Sequence, residues 1–248
     1  MQLDRIEKAL VVGAGHGIGL ALCEALIKVA PQAQIIATYR DPQKACELIA
    51  HNREAQIQQI DPTSEQDLAK LRDMTENLPG KLQLLINTTG WLHSSQHKPE
   101  KSLRQINIEQ MLEYFRVNSI TAALLGKYFL PLFRHKEVST FASISAKVGS
   151  IEDNKIGGWY GYRSSKAALN MLLRTMAIEF KRYGCHCNIL ALHPGTTVTE
   201  LSEPFIKNTK LKLHQPAATA ENIMRIITEQ PMSSEAKFIS WDGTTIPW

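Results

Sequence analysis

No CxxC pair occurs among the four cysteines, Cys23, Cys46, Cys185 and Cys187, so neither a zinc ribbon nor a dense disulfide framework finds its spacing here. Cys185-His186-Cys187 falls in a segment that reads as strand, where alternate side chains share a face, and buried free thiols are preferred there over a metal site. No stripe of basic residues is present: the net charge is +4 and the cations are scattered among acids, which speaks against a nucleic-acid partner. The first residues, Met1 to Lys8, lack the apolar core and cleavage site of a secretory signal, and a cytoplasmic location is expected. No apolar run reaches the roughly 20 residues of a spanning helix, since the stretch 120–133 is broken by Lys127 and Pro131, so no membrane partner is expected. Nor is there an internal repeat.

What is present is a 248-residue chain, 44% apolar and 21% charged, inside the globular range. At this length roughly 70 to 75% of the unfolded surface can be buried, so one domain covering 1–248 is expected. Apolar strand-like runs alternate with amphipathic stretches: strand 9–12, helix 20–29, strand 34–38, helix 42–50, strand 56–60, helix 64–77 capped by Ser64, and strand 82–87. A helical tract over 109–133 follows, then strand 138–145, helix 162–183, strand 186–192, a weaker helix 220–229 and strand 237–240. Right-handed crossovers make this a doubly wound α/β fold, with a parallel sheet covered by helices on both faces. Two long irregular stretches, 149–161 and 194–216, each follow a strand, where ligands sit in open parallel sheets.

The first strand runs into Val12-Gly13-Ala14-Gly15-His16-Gly17-Ile18-Gly19 and then a helix. Glycines there let the backbone approach phosphate oxygens, and the helix start offers free N–H groups and partial positive charge; a tight turn without ligand is the alternative. The spacing GxGxxG is not met, whereas GxxxGxG is met by Gly13, Gly17 and Gly19. Where NAD-preferring enzymes place an acid after the second strand, this chain has Tyr39-Arg40. A guanidinium suits a 2′-phosphate and can stack on adenine, so NADP(H) is preferred over NAD(H), the alternative being that Arg40 faces solvent. Further on come Asp61 before Pro62-Thr63-Ser64, Asn87-Thr88-Thr89-Gly90, and Tyr162 with Lys166 four residues later on one helix face.

The glycine turn, the NxxG element and YxxxK, in that order, resemble the short-chain dehydrogenases/reductases. The stretch from Gly149-Ser150-Ile151 to Trp159-Tyr160 is most similar to the branch with sniffer carbonyl reductases and C-factor proteins. The resemblance implies a Rossmann-type fold and a dinucleotide held by Gly13, Gly15, His16, Gly17, Ile18, Gly19, Tyr39 and Arg40, His16 standing where NADP(H)-preferring relatives often carry a base. It gives Asp61 an adenine contact, though Asp61 also reads as a turn and cap. Asn87 and Gly90 become supports beside the cofactor, and Pro194, Gly195, Thr197 and Thr199 receivers of the nicotinamide carboxamide. The family's motif opens with Thr where this chain has Val12, removing a hydroxyl that would tie the turn down.

Carbonyl reduction needs a hydride at carbon and a proton at oxygen, and the resemblance gives the proton step to Tyr162. An ammonium about 4 Å away at an effective dielectric near 20 is worth roughly 4 kcal/mol, about three pK units, so Lys166 is expected to draw the phenol down towards working pH. The resemblance also gives Tyr162 and Lys166 contacts with the cofactor, Lys166 through a hydrogen bond to the nicotinamide ribose. Asn118 aligns with the asparagine of the family's proton relay, and Tyr160 is read as pocket lining. The catalytic serine strains the match, because Ala146 stands in its place; either Ser145 serves instead or the site is incomplete, and Ser145 is the expectation adopted. A substrate loop over about 195–216, with Leu201, Phe205, Ile206 and Leu211 as an apolar lid, completes the reading. The expected activity is NADP(H)-dependent carbonyl/alcohol interconversion on small or apolar carbonyls, by a homodimer or homotetramer whose seam is the helices starting near Glu109 and Tyr162. The alternatives are an NADP(H)-binding sensor or C-factor-like signalling protein with little turnover, and a structural domain without nucleotide.

Overall fold

The computed structural model describes residues 1–248 apart from Arg53 and Asn208, so the 195–216 loop is described except at one position. Seven strands form one parallel sheet: β1 (Lys8–Val12), β2 (Gln34–Tyr39), β3 (Gln56–Gln59), β4 (Leu82–Asn87), β5 (Ser139–Ile144), β6 (Cys187–His193) and an edge strand, Lys237–Ser240. Read across the sheet, the order is β3-β2-β1-β4-β5-β6 and then that edge strand, so the direction of winding reverses between β1 and β4.

Alternation along the strands buries both faces. Ala9, Val11, Ile35, Ala37, Leu84, Ile86, Ala142 and Leu190 meet α1 (Gly17–Val29), α2 (Cys46–His51) and the last long helix on one side. Leu10, Val12, Ile36, Leu85, Phe141 and Ile189 meet α3 (Glu65–Asn77) and the 108–182 helices on the other. This two-sided burial is why the inner strands read as continuous apolar runs, whereas the edge strand β3, Gln56-Ile57-Gln58-Gln59, is only partly covered. Ser64 caps α3 as its sequence position implies, its hydroxyl accepting from the Asp67 N–H at 3.3 Å. Buried Lys8 closes the other end, donating to Thr75 O and Leu78 O.

The tract expected as one helix over 109–133 is divided. Helix α4 (Ile108–Phe115) passes through a π-helical turn, Arg116–Ile120, into α5 (Thr121–Phe129), and a 3₁₀ turn ends it at Phe133. Hydroxyls of Ser119 and Thr121 donate to Phe115 O and Arg116 O inside the widened turn, and Asn118 sits at its centre. Helix α6 (Tyr160–Arg182) begins two residues before the expected start, making Tyr162 its third residue. The 194–216 stretch has structure of its own: β7 (Thr196–Thr197) pairs with β8 (Leu213–His214), with α7 (Glu203–Ile206) between them. Helix α8 starts at Pro216 rather than Ala220 and runs to Glu229, because proline fits the first helical position; the edge strand Lys237–Ser240 is β9.

Candidate active site

At the carboxyl ends of β1, β4, β5 and β6 lies a cavity of about 1090 Å³, reached by the glycine turn, the start of α6 and the 194–212 segment. The turn is built for close approach. Gly13 and Gly17 have φ of +88° and +59°, and a Cβ at Gly19 would fall 2.2 Å from Gly13 O. Gly13 N–H donates to Thr38 Oγ1 at 3.2 Å and Ala14 N–H to Thr38 O at 2.6 Å. The hydroxyl that Val12 lacks comes from β4: Thr88 Oγ1 lies 2.9 Å from both Val12 O and Gly13 O. Thr88, one of the two residues that replace the middle pair of the family's NNAG pattern, thus ties the turn that lacks a threonine at position 12.

Gly13, Gly15, His16, Gly17, Ile18 and Gly19 all line the cavity, as do Tyr39 and Arg40 across the end of β2. Burial lowers the His16 imidazole below its usual range, Glu200 opposing this. Lys44 joins the same wall and pairs with Glu200 across the mouth. Asp61 stands outside the lining. Its Oδ1 accepts from Thr63 N–H at 2.9 Å and Thr63 Oγ1 at 2.7 Å, the turn-forming role its sequence allowed. Burial would raise its carboxyl, but the two Thr63 bonds with Arg40 and Arg116 outweigh this and hold it low.

Asn87 also lies behind the wall, accepting from Thr89 N–H and Oγ1 and donating to Ser143 Oγ at 3.4 Å. Gly90 faces the cavity, and a Cβ there would stand 3.8 Å from both Asn118 Oδ1 and Lys166 Nζ. Asn118 is fully engaged: Oδ1 accepts from Trp91 N–H at 2.7 Å, and Nδ2 donates to Trp91 O at 2.9 Å and Ser165 Oγ at 3.0 Å. Pro194, Gly195, Thr197 and Thr199 line the far wall. Thr197 Oγ1 shares a 2.8 Å bond with Thr219 Oγ1, and the Thr199 methyl would touch any Cβ at Gly17 at 3.2 Å, so the 196–202 segment closes on the glycine turn.

Tyr162 and Lys166 line the centre and are both buried. Lys166 Nζ lies 5.9 Å from the Tyr162 ring centroid and donates to Ile144 O at 2.9 Å. Burial, and secondarily Tyr114, raises the Tyr162 phenol, while burial lowers Lys166 to about 8. Burial thus opposes the downward pull expected of Lys166 on the phenol, and the ammonium also donates to a main-chain carbonyl.

Ser145 lines the cavity, and its buried hydroxyl donates to Asn170 Oδ1 at 2.7 Å, tying the end of β5 to α6. The neighbouring Ala146 lines the cavity and joins the apolar cluster that includes Tyr162, Leu92, Trp91, Val148 and Trp159, so a methyl takes the place of the family's hydroxyl. Tyr160, expected as lining, does not reach the cavity; Trp159 does. The apolar lid is present, with Phe205 packed edge-on against Trp159 at 5.1 Å and His93 at 5.5 Å. Sequence reading missed the wall of Trp91, Trp159 and His93, whose positions in irregular loops carry no periodic signal. It also missed His193 at the end of β6, whose Nδ1 has no partner among the described residues and whose imidazole burial lowers to about 4.

The family model of the short chain dehydrogenases matches residues 7–210. The chain belongs to that family. Its fold is that of the NADPH-bound carbonyl reductase from chicken fatty liver, with TM-score 0.86 and 26% identity over 98% of this chain and 95% of that one. The carbonyl reductase Sniffer of D. melanogaster has the same fold, with TM-score 0.85 and 24% identity over 98% and 100%. Among curated relatives, C-signal of Myxococcus xanthus is 28% identical over 173 residues, 68% of this chain and 94% of that protein.

Proposed function

We propose that this protein is an NADP(H)-dependent oxidoreductase that interconverts a carbonyl and an alcohol, with Tyr162 as general acid/base and Lys166 as its charge partner. The observation that carries the reading is the convergence of Tyr162 and Lys166, a glycine turn shaped for diphosphate and an aromatic wall on one cavity. The residues fit a dinucleotide: the turn has the room that only glycine leaves, and Arg40, Lys44 and His16 offer a basic surface where a 2′-phosphate would lie. Gly13, Gly15, Gly17, Ile18 and Gly19 would hold the diphosphate, Tyr39 the adenosine, and Pro194, Gly195, Thr197 and Thr199 the carboxamide, with Asn87, Gly90 and Asp61 supporting these walls. When bound, the reduced nicotinamide supplies the hydride.

In the reducing direction a proton must reach the alcohol oxygen, and a phenol that burial keeps neutral carries that proton. Lys166, charged below about pH 8, stabilises the phenolate left behind. Asn118 braces Trp91 and Ser165 around that pair, and Ser145 holds β5 to α6 through Asn170. Trp91, Trp159, Phe205 and Leu201 favour apolar carbonyls and shed water. Mixing the protein with NADPH and a carbonyl panel while following nicotinamide absorbance tests the activity, with oxidation that depends on the carbonyl as the result expected.

A second reading, an NADP(H)-binding sensor or signalling protein with little turnover, is favoured by Ala146 and by the committed Ser145 hydroxyl, and it fits the likeness to C-signal. Tight NADPH binding without oxidation of any carbonyl would select it. We also propose a homodimer or homotetramer. Ile108 and Leu112 on α4, and Met171 and Ile178 on the adjoining α6, form exposed apolar stripes at helical spacing. Four free cysteines, three of them buried, suit the reducing cytoplasm. Among the described residues no helix is long and apolar enough to cross a membrane.

A further inference from the structure

Glu100 is a carboxylate with only 1% of its surface exposed, and its polar partners are N–H groups. Oε2 accepts from the Gly161 N–H at 3.2 Å, Oε1 lies 3.5 Å from Gln110 Nε2, and the main-chain oxygen accepts from the Trp159 N–H at 2.5 Å. A carboxyl group buried against amides alone has given up its water, which is costly, so its position calls for a reason. The reason lies at the start of α6. Gly157, Gly158 and Trp159 all have positive φ, of 70°, 67° and 52°, and Trp159 is the single non-glycine residue so placed among those described. Strained backbone of this kind persists only where its surroundings hold it.

We infer that Glu100 is a positioning residue for Tyr162: it pins the left-handed lead-in and the first turn of α6, and so fixes the phenol against the rest of the cavity. The inference rests on the reading of Tyr162 as the proton donor. The positive end of a 23-residue helix favours a carboxylate at this place. Gly161 admits the approach, since a Cβ there would fall 2.3 Å from Tyr114 Cδ2 and 2.9 Å from Glu100 Oε1. The contact spreads onward: Gln110 Nε2 also reaches Tyr114 Oη at 3.3 Å, and that hydroxyl donates to Leu92 O at 2.7 Å. The Tyr114 ring then meets Tyr162 edge-on at 6.1 Å. One buried acid therefore holds together α6, α4 and the loop that carries the aromatic wall.

The test compares full-length wild type, Glu100→Ala and Glu100→Gln for kcat, KM for the carbonyl, NADPH affinity and amide hydrogen exchange over 159–164. Misplacing a reacting group by about 1 Å costs up to about 100-fold in rate, so Glu100→Ala should lower kcat at least about tenfold. Its affinity for NADPH should stay within about twofold, because the cradle on β1 and β2 is separate, and the Trp159 and Gly161 amides should exchange faster. Glu100→Gln keeps an acceptor for Gly161 and should restore kcat and protection. Unchanged kcat in Glu100→Ala, a loss falling equally on NADPH binding, or a Glu100→Gln as poor as Glu100→Ala overturns the inference. If Glu100→Ala does not fold, Glu100→Asp, one methylene too short for Gly161, takes its place with the same criteria. Should wild type turn over no carbonyl, the functional reading fails, while the exchange comparison still decides whether Glu100 holds this turn: unaltered exchange sinks it.

Discussion

The chemistry at the centre comes down to three side chains, Ala146, Tyr162 and Lys166. A methyl stands where the family places a hydroxyl, so one donor to the substrate oxygen is missing beside Tyr162. A neutral hydrogen bond contributes about 0.5 to 1.5 kcal/mol net, so Ala146→Ser should raise kcat/KM for an unactivated ketone by about two- to tenfold. Steady-state kinetics check this, and an unchanged value would mean that another donor already polarises the carbonyl. The pH dependence follows from Lys166, which is lowered by burial from 10.5 to about 8. Reduction should slow as pH rises through about 8 and the ammonium is lost. Between about 8 and 10.5 the unfolded chain binds the extra proton, so the stability contribution of this group rises with pH across that window. The melting temperature of Lys166→Met should accordingly exceed that of wild type near neutrality, and the gap should narrow towards pH 10. A constant gap, or a rate that climbs through pH 8, contradicts the assignment.

Among the elements, the glycine turn is held by its neighbour strand. Thr88→Val removes a hydroxyl that meets two carbonyl oxygens, and should cost about 1 kcal/mol of stability while weakening NADPH binding several-fold. A binding titration that gives the wild-type affinity would show that the turn needs no such tie. The inner strands were legible because both sheet faces are buried there, which writes Val, Ile, Leu and Ala in runs, and no end of the seven strands differs from the reading by more than one residue. The division of the 109–133 tract was not legible: the hydroxyls of Ser119 and Thr121 that bond inside the widened turn look like ordinary helix-surface residues in a sequence. The glycine turn was legible because glycine spacing is itself the backbone constraint. The partner of Ser145 was not legible: its hydroxyl bonds Asn170, 25 residues further on in α6, while Ser145 and Ala146 both line the cavity. Tyr162 and Lys166 were legible as a pair on one helix face that lines the cavity, but the shifts in their proton affinities come from burial, which has no local signature.

The whole molecule is a parallel sheet whose winding reverses between β1 and β4, and that reversal puts the cradle, the aromatic wall and the start of α6 around one opening. Its outer face bears on assembly. Leu112 on α4 is 65% exposed and Met171 on α6 is 62% exposed, so Leu112→Glu should convert the proposed oligomer to monomer in light scattering, whereas an unaltered mass would place the seam elsewhere. Above assembly stands the claim that the cavity moves a hydride and a proton to a carbonyl. A general acid contributes about 10² to 10⁴ in rate, so Tyr162→Phe is the most direct measurement: carbonyl-dependent NADPH oxidation by this variant beside wild type, with NADPH affinity measured on both. The account predicts turnover by wild type and a loss of at least about 100-fold in Tyr162→Phe at unchanged affinity. Equal rates in the two proteins, or tight NADPH binding by wild type with no oxidation of any carbonyl, would contradict it.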